Sequence, residues 1–521
     1  MAASPDPLSG IPFAGRDSVW PRMPDAPRAL KSALPAVYSS LDMTYLIETY
    51  GCQMNKAESA ALDAMFRERG WEPWQPTSAA NEAMLRERGW EPWQPTSAAP
   101  DFVLINTCSV RITAENRAWG RINHWAAEKA RVAREGEQRL VLAVTGCMAE
   151  RLKKEIRARQ PGVDLVIGTF QKQAFGLVLD AAGRGLPLED VEESPVFVFA
   201  GSYHEPSNFR SFVPIMHGCN NYCTYCIVPH IRGREISRDP SAIISELESL
   251  EAQGVREVTF LGQNVNSYRW EGEGGPLDFP GLLSLVAERF RDRRGGGGSA
   301  HADGRDAERR GIRWIRFMTS HPKDLSDEAI AVIAREALFC RHIHLPVQAG
   351  SDRILKAMNR TYDKAAYLAL IDRMRSALPG LSLTTDLLVG FPGETEEDLE
   401  ETLDLMRKVR YSYAFMYHFN SREGTPAAKM SPKVPDKEKR ERLARVIALQ
   451  KEITGELMRS RLGAVEEVLV EDVSRRRKSE VLARTARDEM VVFPASASRI
   501  GSFATVRLED LSGNTFRAVE L

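Results

Sequence analysis

The sequence predicts a multidomain α/β protein. It should hold an N-terminal parallel-sheet α/β domain, a partial (β/α)6 barrel and a small C-terminal antiparallel β-barrel. Three observations predict this. Apolar strand-like runs alternate with helix-like segments over 43–185, the order that builds a parallel sheet. Six further strand runs, most followed by amphipathic stretches, fill 205–450, two units short of a closed eight-fold barrel. Five short runs then crowd into 459–521, the pattern of a small barrel.

Residues 1–42 are rich in Pro, Ala and Ser without helical or strand periodicity. Arg16, Arg22, Arg28 and Lys31 are balanced by four aspartates, whereas a transit peptide is acidic-poor. The segment reads as a disordered extension, and Met43, just before the first strand, is a candidate start. Strand runs follow at TYLIETYG (44–51), DFVLINT (101–107), RLVLAVTG (139–146) and VDLVIG (163–168), with helices at 114–135 and 150–160. Between the first two lies a tandem duplication, AMFRERGWEPWQPTSAA (64–80) and AMLRERGWEPWQPTSAA (83–99). Each copy reads as a helix end stopped by Gly, then a Pro-containing loop. Two copies are too few for a solenoid, so one is expected to loop out, since lengthening a loop costs little.

Barrel strands are expected at 211–218, 256–264, 314–322, 342–350, 383–393 and 411–420, with helices at 240–253, 325–338 and 394–409. The stretch RRGGGGSAHADGRDAERRG (293–311) has linker composition and reads as a mobile insert. A charged helix near 435–460 leads to strand runs at 464–472, 478–484, 489–493, 501–508 and 515–520. The run RRRK (475–478) offers local charge suited to phosphates.

Composition excludes several classes. No apolar run approaches the ~18 residues of a membrane helix. A net charge of −1 leaves only a local patch for any nucleic acid. Seven cysteines without a secretory leader point to a reducing compartment and to metal or redox chemistry. A cytoplasmic chain is expected.

The chemistry lies in those cysteines. GCNNYCTYC places Cys219, Cys223 and Cys226 in one short loop just past the first barrel strand. Three thiolates are one short of a closed zinc site and one short of the four that usually hold a 4Fe–4S cluster. A cube held by three leaves one iron open. The plain alternative is a zinc knuckle completed by His217 or His230. Cys52, Cys108 and Cys147 each directly follow a strand of the first domain. Open parallel sheets gather ligands beyond the carboxyl ends of their strands, so these three can converge as a second cluster site. Cys340 lies outside every motif and reads as core, while His321, His344 and His418 read as hydrogen-bonded scaffold.

With these motifs in place the chain resembles the methylthiotransferases of the radical S-adenosylmethionine (SAM) superfamily. The carrying runs are ETYGCQMNKAES, NTCSVRITAEN, TGCMAER and GCNNYCTYCIVPHIRGREISR, supported by LGQNVNSY, HLPVQAGSDRIL, DLLVGFPGET and SREGTPAA. The match spans about 43–521. The resemblance implies a SAM-cleaving 4Fe–4S cluster on Cys219, Cys223 and Cys226 and an auxiliary one on Cys52, Cys108 and Cys147. It also implies a C-terminal TRAM domain that binds tRNA. The implied reaction methylthiolates carbon 2 of an isopentenylated adenine beside the anticodon, using two SAM molecules. A deoxyadenosyl radical opens the unactivated C–H bond, and the cofactors carry the hard step. Gln263, past the second barrel strand, is expected either to contact SAM or to cap the strand end. Implied partners are tRNA, a sulfur source and a low-potential donor of the flavodoxin or ferredoxin kind, acting on a monomer.

Some features depart from the family pattern. Cys52 and Cys108 stand 56 positions apart, or 37 with one repeat removed, closer to the usual family spacing. Ala349 replaces a common serine and His230 a more usual tyrosine. Two other readings compete. One is a sister enzyme acting on threonylcarbamoyl-adenosine or a ribosomal-protein aspartate, against which GCQMN and NTCSVR argue. The other is an iron–sulfur electron carrier or a metal-containing RNA-binding protein, against which the six-strand barrel argues.

Overall fold

Buried strands that alternate between two apolar faces organise the first domain. β1 (Thr44–Tyr50), β2 (Glu72–Pro73), β3 (Phe102–Thr107), β4 (Val141–Gly146) and β5 (Leu165–Ile167) pair in parallel, in the order β2-β1-β3-β4-β5. Val103 and Ile105 of β3 face the helix Ile112–Arg134 through Ile122 and Trp125. Phe102 and Leu104 face the helix Gln53–Arg67 through Leu62 and Phe66. This is the period-two rule of strands applied to a sheet covered on both sides. The computed structural model describes residues 43–75, 99–110, 112–136, 140–171, 174–186, 188, 197–199, 208–272, 275–291 and 311–521. The extension 1–42, the second repeat apart from Ala99, and 293–310 of the expected insert lie outside them.

Residues 64–75 of the first repeat are built into the core. Phe66 is fully buried and stacks on Tyr45 with ring centroids 4.2 Å apart. Gly70 ends the helix with φ +75°, after which Trp71 turns inward and Glu72–Pro73 adds the short strand β2 beside β1. That strand is absent from the sequence reading, because two residues carry no periodicity. Trp71 is core and Trp74 packs against Trp125, so these two tryptophans serve packing.

The second domain follows with β6 (Arg210–Pro214), β7 (Met216–His217), β8 (Ile236–Ser237), β9 (Glu257–Leu261), β10 (Arg269–Gly272), β11 (Gly275–Asp278), β12 (Trp314–Phe317), β13 (His342–His344), β14 (Ser382–Val389) and β15 (Tyr413–His418). Six of these are the expected barrel strands. They form two parallel triplets, β12-β9-β6 and β13-β14-β15. The triplets meet where Ile315 bonds Leu338 and Cys340, at 2.8 and 3.0 Å. One apolar core runs through both. β7 and β8 make an antiparallel clip at the two ends of the cysteine loop.

The helix Asp436–Arg459 joins this barrel to the last domain. Val446 and Ile453 belong to the barrel core and Met458 to the core of the C-terminal domain. There β16 (Val465–Val473), β17 (Glu480–Thr485), β18 (Met490–Pro494), β19 (Phe503–Ser512) and β20 (Thr515–Glu520) close a barrel in the order β16-β17-β18-β20-β19. Four pairings are antiparallel, as expected; the fifth, β18 with β20, is parallel. A closed ring of alternating directions needs an even number of strands, so five strands force one parallel pair. Arg475–Lys478 are exposed between β16 and β17. Among the described residues no helix is long and apolar enough to cross a membrane.

Candidate functional site: two cysteine triads across a domain junction

The strand ends of the first domain are knit together before any cysteine is considered. Asn55 Nδ2 donates to Asn106 Oδ1 at 3.1 Å and to the Thr107 carbonyl at 3.0 Å. Asn106 Nδ2 returns bonds to the Asn55 carbonyl and Ser59 Oγ, both at 2.9 Å. Thr107 Oγ1 donates to the Thr145 carbonyl at 2.6 Å, tying β3 to β4. Asn55, Asn106, Thr107 and Thr145 are all buried. Asn55 also accepts from the Cys52 backbone N–H at 3.1 Å. The asparagines and threonines inside GCQMN, NTC and TGC thus set the heights of Cys52, Cys108 and Cys147. Sequence reasoning singled out the cysteines and missed these supports.

Cys108 and Cys147 are buried and Cys52 is exposed. A hydrogen bond from the Cys108 thiol lowers the Cys52 thiol, with the buried charge of Arg232 assisting. Cys108, the donor beside it, is pushed up by that bond and by burial. Gly146 precedes Cys147 with φ +94°, and a Cβ there would sit 2.3 Å from the Thr107 carbonyl oxygen. Only glycine allows so close an approach in the left-handed region.

The second triad is local. Gly218 has φ +77°, and its Cβ would fall 2.0 Å from the Arg234 carbonyl oxygen, so the chain enters the loop against its own returning strand. Cys219 N–H donates to the Gly233 carbonyl at 3.1 Å. Thr224 Oγ1 donates to the Ala357 carbonyl at 2.9 Å. Asn359 Nδ2 reaches the carbonyls of Asn221 and Tyr222 at 3.2 and 3.1 Å. Burial pushes the Cys219 thiol up to about 11 and the Cys226 thiol up to about 12.

The triads share one junction. Arg232 ends the short helix Val228–Arg232 that follows the loop. Its Nη2 donates to Cys147 Sγ at 3.2 Å, and its Nη1 pairs with Glu58 Oε1 at 2.8 Å. Arg422, past β15, donates to the Val110 carbonyl at 2.9 Å. The carboxyl ends of barrel strands and sheet strands therefore face each other.

Of the remaining predicted residues, Gln263 lies past β9 with Oε1 buried and without a hydrogen-bond partner among the described residues. The sequence reading left Gln263 as cap or SAM contact, and this oxygen is not used in capping. His217 stacks flat on Phe197 with centroids 3.6 Å apart, while His230 is exposed, edge-on to Tyr222. His321 Nδ1 accepts from the Lys323 N–H at 3.3 Å, and His344 Nδ1 meets Thr384 Oγ1 at 3.0 Å. Both are scaffold in the expected sense. His418 differs, since its Nδ1 is buried with no partner among the described residues. Cys340 packs with Trp314 and Leu469 as core.

Among the described residues no three His, Cys, Asp or Glu side chains close to single-ion range. The fit to a cluster therefore rests on donor chemistry. Each triad offers three thiols on rigid supports, and a buried guanidinium bonds one sulfur of each, since Arg360 Nη1 donates to Cys223 Sγ at 3.4 Å. An unfilled acceptor, Gln263 Oε1, lies at the end of a neighbouring barrel strand. Thiolate ligands with a donor on their sulfur suit an iron–sulfur cluster.

Residues 213–406 match the Radical SAM superfamily, which defines the class. Residues 75–168 match the uncharacterized protein family UPF0004, a match that takes in Cys108 and Cys147 but starts beyond Cys52, and 459–519 match the TRAM domain. A tRNA-2-methylthio-N(6)-dimethylallyladenosine synthase of Treponema denticola is 44% identical over 91% of this chain and 99% of its own. The like-named protein of Porphyromonas gingivalis strain W83 is 40% identical over 90% and 93%. The chain belongs to the family of tRNA-2-methylthio-N(6)-dimethylallyladenosine synthases. In fold it resembles a solved radical SAM methyltransferase from Kitasatospora setae, with TM-score 0.50 and 14% identity over 74% of this chain and 77% of that one.

Proposed function

We propose that this chain is a radical SAM methylthiotransferase that modifies carbon 2 of N6-dimethylallyladenosine beside the anticodon of tRNA. Cys219, Cys223 and Cys226 would hold a 4Fe–4S cluster exchangeable with SAM, and Cys52, Cys108 and Cys147 an auxiliary one. When bound, the first would supply the radical chemistry an unactivated C–H bond requires, and the second would supply sulfur.

The observation that carries this reading is the Arg232 bridge, a side chain from the loop helix bonded to a sulfur of the other triad. It holds the two sites face to face, as a reaction that joins their products requires. Burial of Cys108, Cys147 and Cys223 keeps water from the sulfurs. Gln263 supplies a preset acceptor for a donor group of SAM. A second SAM would supply the methyl group. Arg475, Arg476 and Lys478 add positive charge for tRNA phosphates. A low-potential flavodoxin-like or ferredoxin-like donor and a sulfur source complete the reaction, carried out by a monomer in the cytoplasm.

The test is anaerobic reconstitution and iron counting. About eight irons per chain are expected for two cubanes, and about half after Cys52, Cys108 and Cys147 are all replaced by Ala. Tetrahedral zinc, or one cluster in the unaltered chain, would overturn the assignment. Persistence of the methylthio-isopentenyl nucleoside in a deletion strain would overturn the substrate.

A further inference from the structure

Apolar side chains are ordinary on a protein surface, but one stands at the mouth of the junction with its backbone fixed on both sides. Val110, two positions after Cys108, donates its N–H to Cys108 Sγ at 3.3 Å, and its carbonyl accepts from Arg422 Nη2 at 2.9 Å. The first bond ties it to the strand-end triad. The second ties it to the segment after β15, which also reaches the loop triad, since the Ala427 N–H donates to the Thr224 carbonyl at 2.9 Å. Thr224 stands between Cys223 and Cys226. Held in this way, the Val110 side chain stays 54% exposed. Ile112, which opens the helix Ile112–Arg134, is 44% exposed. The charge that touches Val110 is itself partnered, because Arg422 lies 3.7 Å from Glu115, which Arg151 also holds at 2.7 Å. What this corner offers a substrate is therefore apolar surface.

We infer that Val110, with Ile112 beside it, receives the dimethylallyl tail of the target base and so selects prenylated adenosine over plain adenosine. The inference rests on the substrate reading of the preceding section and deepens it. In adenine, carbon 2 and carbon 6 flank the same ring nitrogen. A base held with carbon 2 between the triads therefore carries its N6 tail past the residues that border them. That tail is a branched five-carbon hydrocarbon with nothing to donate or accept. It gains by leaving water for apolar surface, and a half-exposed valine gains by the same contact. A polar tail, such as a carbamoyl group bearing a carboxylate, would lose hydration there with no hydrogen bond in return. Val110 and Ile112 are specificity residues and take no part in the chemistry.

Anaerobic binding of two anticodon stem-loops, identical except for adenosine or N6-dimethylallyladenosine at the target position, tests it on the iron-loaded chain. Val110→Ser should weaken binding of the prenylated RNA about tenfold and leave the plain RNA unchanged. Val110→Ile, which keeps an apolar branch, should keep the preference. Ile112→Ser should show a smaller selective loss, about fourfold. Equal weakening of both RNAs, or no change in either with both Ser variants, would overturn the inference. Should Val110→Ser lose iron from the neighbouring triad, the Ile112→Ser arm decides alone. An unaltered chain that binds the two RNAs alike while methylthiolating the prenylated one would overturn this inference and spare the substrate reading. Failure of the unaltered chain to methylthiolate the prenylated RNA would overturn the substrate reading first, and this inference with it.

Discussion

The barrel has two polar ends, and they are built on opposite plans. At the amino ends of its strands, the face toward the small barrel, a buried carboxylate is met by two arginines. Glu257 is 2% exposed and held by Arg210 at 2.6 Å and Arg316 at 3.0 Å. Arg210 also reaches Glu471 at 2.8 Å, and Arg316 donates to the carbonyls of Thr485 and Ala486 at 2.9 and 3.0 Å. Burial raises the Glu257 carboxyl, yet the two arginines hold it below its usual range. At the carboxyl ends, the face toward the first domain, six thiols and Gln263 Oε1 have local supports while their strongest bonding capacity stays available. One junction is satisfied by the chain alone; the other is arranged for guests. The difference separates what holds the molecule from what it does.

The largest break in that comparison is Cys147→Ala. It removes a sulfur of the proposed auxiliary site that packs with Ile227 and Ile231 and accepts a bond from Arg232. Methylthio-nucleoside in tRNA should vanish on mass-spectrometric analysis, while SAM cleavage persists and the apo-protein loses about 1–3 kcal/mol, the cost of the unmade Arg232 bond. The opposite end should give the opposite result. Arg316→Ala leaves Glu257 buried with one partner fewer, and removing one member of a buried pair costs about 3–5 kcal/mol. Urea unfolding should record that loss, with SAM cleavage per folded molecule unchanged. Activity loss without destabilisation from Arg316→Ala, or the reverse from Cys147→Ala, would break the division.

Much of this division was legible in the sequence. Periodicity gave the strands that mattered, and the loop triad could be placed because its spacing is local. The strand-end triad could be placed because TYG-C, INT-C and VTG-C repeat one position after three strands of a parallel sheet. What stayed hidden depends on contacts far apart in the chain. Arg232 meets Cys147 across 85 positions and Arg360 meets Cys223 across 137. Asn55 and Asn106 read as motif filler until the strands bring them together. The small barrel's parallel pair follows from closing five strands, which no local pattern announces.

Two intermediate effects sharpen the contrast. His342 opens β13 beside the small barrel. Its ring is buried and pushed down to about 4, chiefly by desolvation, with Arg316, His344 and Arg484 assisting and Asp488 opposing. Between pH 4 and 6.5 the unfolded chain binds more protons than the folded one, so stability rises with pH across that window. It is full above about pH 6.5 and falls by about 3 kcal/mol as the pH drops toward 4. His342→Gln should flatten that part of the profile in urea titrations. At the other junction Asn55→Ala strands the Asn106 and Thr107 acceptors, costing about 1–3 kcal/mol. It should also lower iron content by up to the auxiliary share while the loop cluster stays loaded.

The smallest effect tests whether the amino-end junction depends on burial or merely on charge. Arg313 pairs with Glu467 at 2.6 Å across the same domain boundary as Arg316, but the two side chains keep 30% and 39% of their exposure. Water and salt screen such a pair, and exposed pairs contribute about 0.2–1 kcal/mol. The Arg313 guanidinium also lies 4.3 Å from the Phe503 ring centroid, a contact that survives loss of the carboxylate. Glu467→Gln should therefore shift urea unfolding by about 0.5 kcal/mol or less, and the shift should vanish in high salt. A loss as large as that from Arg316→Ala would mean that net charge across the boundary, rather than desolvation of Glu257, holds the small barrel in place.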